Sequence, residues 1–427
     1  MNKLRIWTVL LGLSFKSAWS AEIEAFTEFT IDGARDYLRI IALRIQEENK
    51  AHVEPLFMRA RLESQLGQQD EAERFARRAL EEDPARADIE SFLGDLYIRQ
   101  ARLEDAATSL RKALDFEPKL EGGYRRLGMV LDRLGNHKEA REVFKTGVQA
   151  VPEDGTMRLL LGRLQLNHSE VQDAVVHLQK ACIIDPNSPN AFYALSQAQA
   201  RMGDREAARE TLKVFQRLKR KEGQVLDAKN VAHDNEKTMR VLASGFHTEV
   251  AEWLLQQRQE AIAEAHLRQA MHVAPEEPRS YERLAALYLQ TGRLIPARAI
   301  FQDLARLWPA HVTYRVNLGT LLLQLKDYSA AVQELKLALE LDPRQSEALN
   351  NLVRFYLATR RNLPEALALC RRLVDIQPSA SNYDLLAWAL YANGKNAEAL
   401  AASTQSIKRD PNNPVYRERN RRLQQVP

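Results

Sequence analysis

The sequence has few helix-breaking residues and almost no cysteine. It holds 17 glycines, 16 prolines and two cysteines among 427 residues, and the glycine and proline content is below the roughly 12% usual for the pair. So few breakers argue against a turn-rich β fold. Cys182 and Cys370 belong to no CxxC or Cys/His cluster. We therefore expect no disulfide framework, and we predict both thiols to be reduced and packed among apolar side chains.

An excess of one charge and long apolar runs are also missing. The formal net charge is +4, from 61 Lys and Arg against 57 Asp and Glu, and three of the basic residues lie in the first twenty positions. This near balance argues against non-specific nucleic-acid binding, which needs a basic surface. No later segment approaches the run of about 18 apolar residues typical of a membrane helix. The mature chain is therefore predicted to have no membrane span.

Motifs that carry catalytic or metal chemistry are absent as well. The sequence contains no Walker A loop, no GxGxxG after a strand, no HExxH and no GxSxG. Its nine histidines are scattered, and near neighbours such as His266 and His272 lack the i, i+4 spacing that places two metal ligands on one helix face. We predict no catalytic site, no metal and no cofactor, so the chain is not expected to be an enzyme.

The first twenty residues have the pattern of a secretory signal peptide. A short basic start is followed by the apolar run Ile6 to Phe15, and Ala18 and Ser20 then supply small residues. The run is too short to span a bilayer as a helix. We predict that residues 1–20 are a signal peptide cleaved after Ser20 and that the protein is exported, to the periplasm of a bacterium. The alternative is an uncleaved amphipathic N-terminus.

Proline, alanine and a third column of small residues mark an internal repeat of about 34 residues. Prolines recur at this spacing in two runs, with one residue more or less near the end of the second run: Pro84, Pro118, Pro152 and Pro186, and then Pro275, Pro309, Pro343, Pro378 and Pro411. The gap of 89 residues between the runs is two periods of 34 plus 21 residues. Twelve residues before these prolines stand Ala72, Ala106, Ala140, Ala174, Ala263, Ala297, Ala331, Ala366 and Ala399, and Ala208 fills this place in a repeat that lacks the proline. Twelve residues earlier again, the residue is usually Gly, Ala or Ser. Ten repeats follow from this phase.

Each column has a physical reason if a repeat holds two helices of about 13 residues. The two small residues lie where the helices cross, because larger side chains would push the axes beyond the 8–10 Å of close packing. The proline cannot continue the second helix and disfavours helical geometry in the residue before it. A turn between the helices, where positive φ is often needed, is predicted at Gly67, Gly135, Gly203, Gly292 and Gly394.

These columns resemble the tetratricopeptide repeat (TPR) family. The stretch from Ser91 through Ala106 to Pro118 follows the family pattern, as does Tyr281 through Ala297 to Pro309. The resemblance implies an all-α fold, a right-handed α-solenoid of helix–turn–helix repeats in which the first helices line a concave groove. The phase gives a signal peptide at 1–20, N-terminal capping helices at 21–52, repeats 1–5 at 53–222, a linker or extended helix at 223–243, repeats 6–10 at 244–411 and a C-terminal capping helix at 412–427.

The resemblance also places candidate partner-binding residues on the first helices. They are Asn317, Asn350, Asn351, Arg354, Trp388 and Tyr391. Asn317 and Asn351 hold equivalent places in adjacent repeats, and asparagines stacked in this way bind a peptide backbone in some TPR arrays. Elsewhere the place is taken by residues such as Arg126 and Arg283, so the asparagine series is interrupted. Trp388 and Tyr391 are interpreted either as anchors for a partner or as packing residues between repeats.

The function that this resemblance implies is a non-enzymatic scaffold or adaptor for protein–protein interaction, exported, which binds a protein or an extended peptide. Two alternatives stay open. One is an accessory subunit of an envelope enzyme or of a polysaccharide export complex. The other is an intracellular TPR regulator, which requires that the N-terminus is not cleaved.

Overall fold

The structure is a computed structural model, and it describes residues 31–49, 52–226 and 235–425. Within these ranges the chain forms helices and no strand, so the predicted all-α solenoid is confirmed. Contacts divide the chain into an N-terminal block that ends at Leu242 and a C-terminal block that begins at Ala243. The predicted signal peptide at 1–20 lies outside the described residues.

The N-terminal block contains a first helix, α1 (Ile31–Glu48), and then five helix pairs. The helices of these pairs are α2 (Val53–Gln65), α3 (Gln69–Glu82), α4 (Ala87–Arg99), α5 (Leu103–Phe116), α6 (Gly123–Arg133), α7 (His137–Ala150), α8 (Gly155–Asn167), α9 (Val171–Ile184), α10 (Pro189–Met202) and α11 (Arg205–Leu226). Arg39 of α1 holds the buried carboxylate of Glu63 on α2 with an ion pair of 3.0 Å, which fixes α1 on the first repeat. Residues 21–30 of the predicted N-terminal cap are outside the described ranges.

The second set of helix pairs begins with α12, whose first residues precede Ala243, continues through the C-terminal block and is followed by one more helix. The bounds are α12 (Asn235–Gln256), α13 (Glu260–Val273), α14 (Pro278–Gln290), α15 (Leu294–Leu307), α16 (Val312–Gln324), α17 (Tyr328–Leu341), α18 (Ser346–Thr359), α19 (Leu363–Ile376), α20 (Ala380–Ala392), α21 (Asn396–Arg409) and α22 (Pro414–Gln424). The segment 223–243 is helical at both ends, because α11 continues to Leu226 and α12 starts at Asn235. Residues 227–234 lie outside the described ranges.

The small-residue columns lie where the two helices of a repeat cross, as predicted. The nine alanines that precede the prolines are completely buried. At the facing position of the first helix, a Cβ added to Gly94 would lie 2.7 Å from Leu110 Cγ, and one added to Gly162 would lie 2.6 Å from Leu178 Cγ. Real Cβ atoms do not approach other atoms so closely, so only glycine lets these helices meet at this distance.

The turn between the two helices contains a residue with positive φ at the same position in every repeat. The five glycines predicted there have φ between 70° and 95°, which confirms the prediction of positive φ. The equivalent position in the other repeats also has positive φ, between 54° and 64°, although it holds Ala101, Ser169, Arg258, Lys326 and Arg360. Since a non-glycine residue costs about 1 kcal/mol or more in this conformation, the packing of the helix pair dictates the turn.

Prolines end the second helices in the predicted way. Asp83 and Asp342, each followed by proline, come directly after α3 and α17. The backbone N–H of each still donates a helical hydrogen bond, but both residues have extended backbone angles. Repeat 5 lacks this proline, and its second helix, α11, has 22 residues where α9 has 14. The proline column therefore sets the length of the second helix.

Both cysteines are free and buried, as predicted, and burial raises the pKa of the Cys370 thiol to about 12. None of the helices in the described ranges combines the length and the apolar character that crossing a bilayer requires. The described residues also contain no group of three or more His, Cys, Asp or Glu side chains placed to hold a metal ion.

Candidate partner-binding face

The six predicted binding residues lie on consecutive first helices of the C-terminal block. Asn317 is on α16, three of them are on α18, and Trp388 and Tyr391 are on α20. Helix α18 contacts both α16 and α20 directly, so these helices lie side by side. We call the exposed surface of α16, α18, α20 and α22 the first-helix face.

A recurring contact joins neighbouring first helices. A side chain on one first helix contacts the residue 31 positions earlier in the sequence, which lies on the preceding first helix. The contacts are Arg126 with Asp95 at 2.6 Å, Arg283 with Glu252 at 2.7 Å, Asn351 Nδ2 with Thr320 Oγ1 at 2.8 Å, and the Arg419 guanidinium 4.7 Å from the centroid of the Trp388 ring. Arg126 and Arg283, which interrupt the asparagine series in the sequence, therefore make the same inter-repeat contact as Asn351.

Two of the predicted residues are left out of this series because their counterparts are apolar. The residue 31 positions before Asn317 is Ala286, and the residue 31 positions after Arg354 is Leu385. Arg354 is exposed, and its Nε donates to Asn350 Oδ1 at 2.6 Å within α18. Asn317 is half-buried, and no hydrogen bond within the described residues links it to the other five. The structure thus brings Asn350 and Arg354 together and engages Asn351 with the preceding repeat.

A buried carboxylate lies beneath the C-terminal end of the face. Asp384 on α20 is almost completely buried and forms an ion pair with Arg419 of α22. Burial raises the pKa of Asp384, and the charges of Arg419 and, more weakly, Arg354 oppose this shift. The Arg419 guanidinium also lies over Trp388. Asp384 and Arg419 were missed from the sequence because they lie in different repeats and share no motif.

The aromatic pair on α20 is presented to the outside. Trp388 is 47% exposed and Tyr391 is 43% exposed, and residues three apart lie on the same side of a helix. Packing between repeats therefore leaves nearly half of each side chain uncovered. Asp384 is buried and paired with Arg419, and the Arg419 guanidinium is the charged group that contacts the Trp388 ring in the described residues. That the six residues bind a partner stays a prediction.

The fold and this face define a class of protein, an α-solenoid of helix–turn–helix repeats in which the first helices carry an ordered series of side chains. The sequence pattern of the tetratricopeptide repeat family matches residues 57–120, 125–189, 296–346 and 316–381, and a second pattern of the same repeat matches residues 189–213. Together these matches cover more than half of the chain. The chain belongs to the tetratricopeptide repeat family, a fold of the protein-interaction class.

Two curated proteins are similar to the chain over much of its length. It is 24% identical over 281 residues to the human protein O-mannosyl-transferase TMTC3, which is 63% of this chain and 28% of that protein. It is 22% identical over 373 residues to cellulose synthase operon protein C of Pseudomonas fluorescens (strain SBW25), which is 83% of this chain and 28% of that protein. The chain thus spans just over a quarter of the length of these relatives.

Solved TPR structures are also similar to it. YrrB, described as a TPR protein with an unusual peptide-binding site, is 25% identical, with a TM-score of 0.38, over 44% of this chain and 98% of YrrB. Yeast Tom70 is 14% identical, with a TM-score of 0.33, over 88% of this chain and 94% of the Tom70 chain.

Proposed function

We propose that this chain is a non-enzymatic scaffold that binds an extended peptide segment of a partner protein along the first-helix face. The observation that carries the proposal is the exposed pair Trp388 and Tyr391, with the Arg419 guanidinium over the Trp388 ring. The exposed Arg354 lies on α18, the preceding first helix. Exposed aromatic residues combined with arginine are the composition typical of energetically dominant contacts at protein interfaces.

The side chains on this face favour a peptide that is both acidic and apolar. An apolar side chain of the peptide would cover the Trp388 and Tyr391 rings, and a neighbouring carboxylate would pair with Arg354, whose guanidinium is exposed. The amide groups of Asn317 and Asn350 can bond to the peptide backbone, because an amide both donates and accepts. Asn351 donates a hydrogen bond to Thr320 on the preceding first helix, and we infer that it holds the two helices together and does not bind the peptide.

Replacing Trp388 with alanine is expected to weaken peptide binding at least tenfold, since truncation of a central aromatic anchor costs about 2 kcal/mol or more. Peptides selected from a random displayed library on the purified full chain supply the ligand, and calorimetry supplies the dissociation constants. Phe116→Ala is the matched control, because Phe116 is also 47% exposed but lies at the end of a second helix. Arg354→Gln is expected to weaken only those peptides that carry a carboxylate.

Equal losses in the Trp388 and Phe116 variants would contradict the proposed face. A photo-crosslinking residue at 388 gives a second measure in the native host. At position 388 it is expected to crosslink to the partner protein. The same crosslinking residue at Ala401, which is exposed on the second helix α21, is expected not to crosslink to that protein. The same crosslinked species from both positions would place the interface elsewhere.

We also propose that the protein is exported and cleaved after Ser20, on the strength of the basic, apolar and small-residue pattern in residues 1–20. Mass spectrometry of the mature chain distinguishes this from the intracellular alternative. A mature chain that begins at Ala21 and fractionates with the envelope supports export. A chain that retains Met1 and fractionates with the cytoplasm supports an intracellular TPR regulator.

A role as accessory subunit of an envelope enzyme or of a polysaccharide export complex is the second candidate. It is favoured by the similarity to cellulose synthase operon protein C across 83% of this chain. If it is correct, the partner crosslinked at 388 is a component of a polysaccharide synthesis or export complex. A partner with no link to the envelope would exclude this candidate and leave the scaffold proposal intact.

A further inference from the structure

A four-residue cluster connects repeats 1 and 2 through a buried tyrosine hydroxyl. Tyr97 Oη of α4 donates to Glu73 Oε1 of α3 at 3.0 Å and accepts from Arg77 Nη2 at 2.9 Å. Arg102, in the turn after α4, holds the other carboxylate oxygen of Glu73 at 2.7 Å. Burial alone would raise the pKa of Glu73, but the hydrogen bonds from Arg102, Arg77 and Tyr97 lower it overall. The site therefore stabilises a carboxylate anion.

The C-terminal block repeats this cluster between repeats 6 and 7. Tyr288 Oη donates to Glu264 Oε1 at 2.6 Å and accepts from Arg268 at 2.7 Å, and Arg293 holds Glu264 Oε2 at 2.7 Å. Its residues stand at the same repeat positions as the first cluster, each 191 residues further along. The hydrogen bonds to Glu264 again lower the pKa of that carboxyl against the effect of burial. Two carboxylates are thus bound in the same way.

A third set of equivalent positions, between repeats 8 and 9, contains no carboxylate. Moving 68 residues on from the second cluster gives Val332, Lys336, Tyr356 and Arg361, so the tyrosine and both cations are kept and valine replaces glutamate. Tyr356 is 1% exposed, and its hydroxyl has no hydrogen-bond partner within the described residues. Arg361 is exposed and makes no side-chain hydrogen bond or ion pair there.

One ion pair, Lys336 with Glu365, lies close to Tyr356. Lys336 Nζ binds Glu365 at 2.9 Å, and interaction with Glu365 and with the Tyr356 phenol raises the pKa of Lys336. Within the described residues, Lys336 does not donate a hydrogen bond to the Tyr356 hydroxyl. Glu365 lies on α19 and satisfies the lysine, so the tyrosine hydroxyl and Arg361 are still without an anion.

A cavity opens at this third position. It has a volume of about 440 Å³ and is lined by Tyr328, Ser329, Val332, Phe355, Tyr356, Arg361 and Asn362. The Tyr328 and Phe355 rings pack at 5.2 Å between centroids and give the cavity an apolar wall. Two residues, Arg361 and Asn362, lie between the positive-φ residue of this turn and the start of α19, where the turn of repeat 8 has one. Asn362 adopts φ of 46° at the rim. The longer turn adds Asn362 to the cavity lining.

We propose that this cavity binds a carboxylate from outside the chain, in the place that Glu73 and Glu264 occupy in the other two clusters. The Tyr356 hydroxyl donates to the carboxylate, Arg361 pairs with it, and the aromatic wall covers the carbon atoms attached to it. The ligand class is therefore a carboxylate on a short apolar stem, such as a glutamate side chain of a partner or a free dicarboxylic acid. This site uses none of the six residues of the first-helix face and does not depend on the proposed function.

The probes are acetyl-Ala-Glu-Ala-amide, its glutamine counterpart and glutarate, titrated by calorimetry into the full chain. At least one of the two carboxylates is expected to bind at least tenfold more tightly than the glutamine peptide. Binding of the peptide identifies a protein side chain as the source, and binding of glutarate alone identifies a free diacid. Trp388→Ala is expected to leave this binding unchanged, which separates the site from the first-helix face.

Two variants test the site itself. Arg361→Gln is expected to weaken carboxylate binding at least tenfold, whereas Arg360→Gln, a change at the adjacent exposed arginine that does not line the cavity, should leave it unchanged. Val332→Glu supplies an internal carboxylate and should abolish binding while raising the urea midpoint above that of Val332→Gln. No preference for either carboxylate over the glutamine peptide, or equal effects of the two arginine variants, would overturn the proposal.

Discussion

Replacing Gly128 with leucine is expected to unfold repeat 3 and to lower the free energy of unfolding of the N-terminal block by about 3 kcal/mol. A Cβ on Gly128 would lie 2.7 Å from both Cδ1 and Cζ of Phe144, and nearer still to Cε1. Phe144 is 2% exposed and belongs to the core that joins repeats 1 to 4, so its ring cannot move outward. Helices α6 and α7 would have to separate to admit the leucine.

Circular dichroism in urea measures this change. Tryptophan fluorescence would not report on repeat 3, because the tryptophans of the described residues, Trp253, Trp308 and Trp388, all lie in the C-terminal block. Gly245→Ala is the matched control. Gly245 is also within a helix, but nothing lies within 4 Å of its added Cβ. That variant is expected to gain about 0.5–1 kcal/mol from the higher helix propensity of alanine. A Gly128→Leu chain as stable as the wild type would contradict the crossing geometry.

The features that sequence could predict are those that recur within one repeat. The alanine column, the glycines of the turn and the proline at the end each answer a local constraint, so a period of 34 residues was enough to place the helix pairs. The same logic accounts for the exception in repeat 5. Arg220 stands where the proline would be, and α11 runs on to Leu226. The 34-residue period does not specify at which residue α11 ends.

Contacts between repeats could not be predicted in the same way, because they depend on which side chains meet. Arg126 with Asp95 and Asn351 with Thr320 are chemically different pairs at the same positions, so a search for one repeated residue type misses them. The spacing of 31 residues becomes informative only after the first helices are known to lie side by side. Likewise, Val332 is an ordinary apolar residue until Glu264 is seen bound at the equivalent position.

A buried histidine pair is the clearest example of a contact that sequence spacing could not predict. His247 on α12 and His266 on α13 are completely buried, and their Nδ1 atoms lie 2.9 Å apart, so one ring donates the proton and the other accepts it. A search for spacings along one helix cannot find two residues that meet across a helix pair. The near neighbour of His266 in the sequence is His272, which is exposed and has no part in this contact.

This pair is expected to make the C-terminal block less stable in acid. Burial lowers the pKa of His247 to about 3, and burial together with the neighbouring His247 lowers the pKa of His266 well below its usual value. Both rings are therefore neutral in the folded chain, whereas in the unfolded chain they bind protons below about pH 6.5. Their contribution to stability is complete above that pH and is lost as the pH falls toward the folded pKa values.

Between pH 7.5 and pH 5.0 each histidine should remove about 2 kcal/mol from the free energy of unfolding, and the pair about 4 kcal/mol. Tryptophan fluorescence in urea at each pH reports this, with Trp253 in the same helix as His247 as the probe. Replacing His247 and His266 together with leucine should remove most of the pH dependence in this window, while His272→Leu should keep it. Because a proton on either ring would be completely buried against a second imidazole, unfolding is the route by which both can be charged. A double variant that loses as much stability in acid as the wild type would show that other groups titrate there.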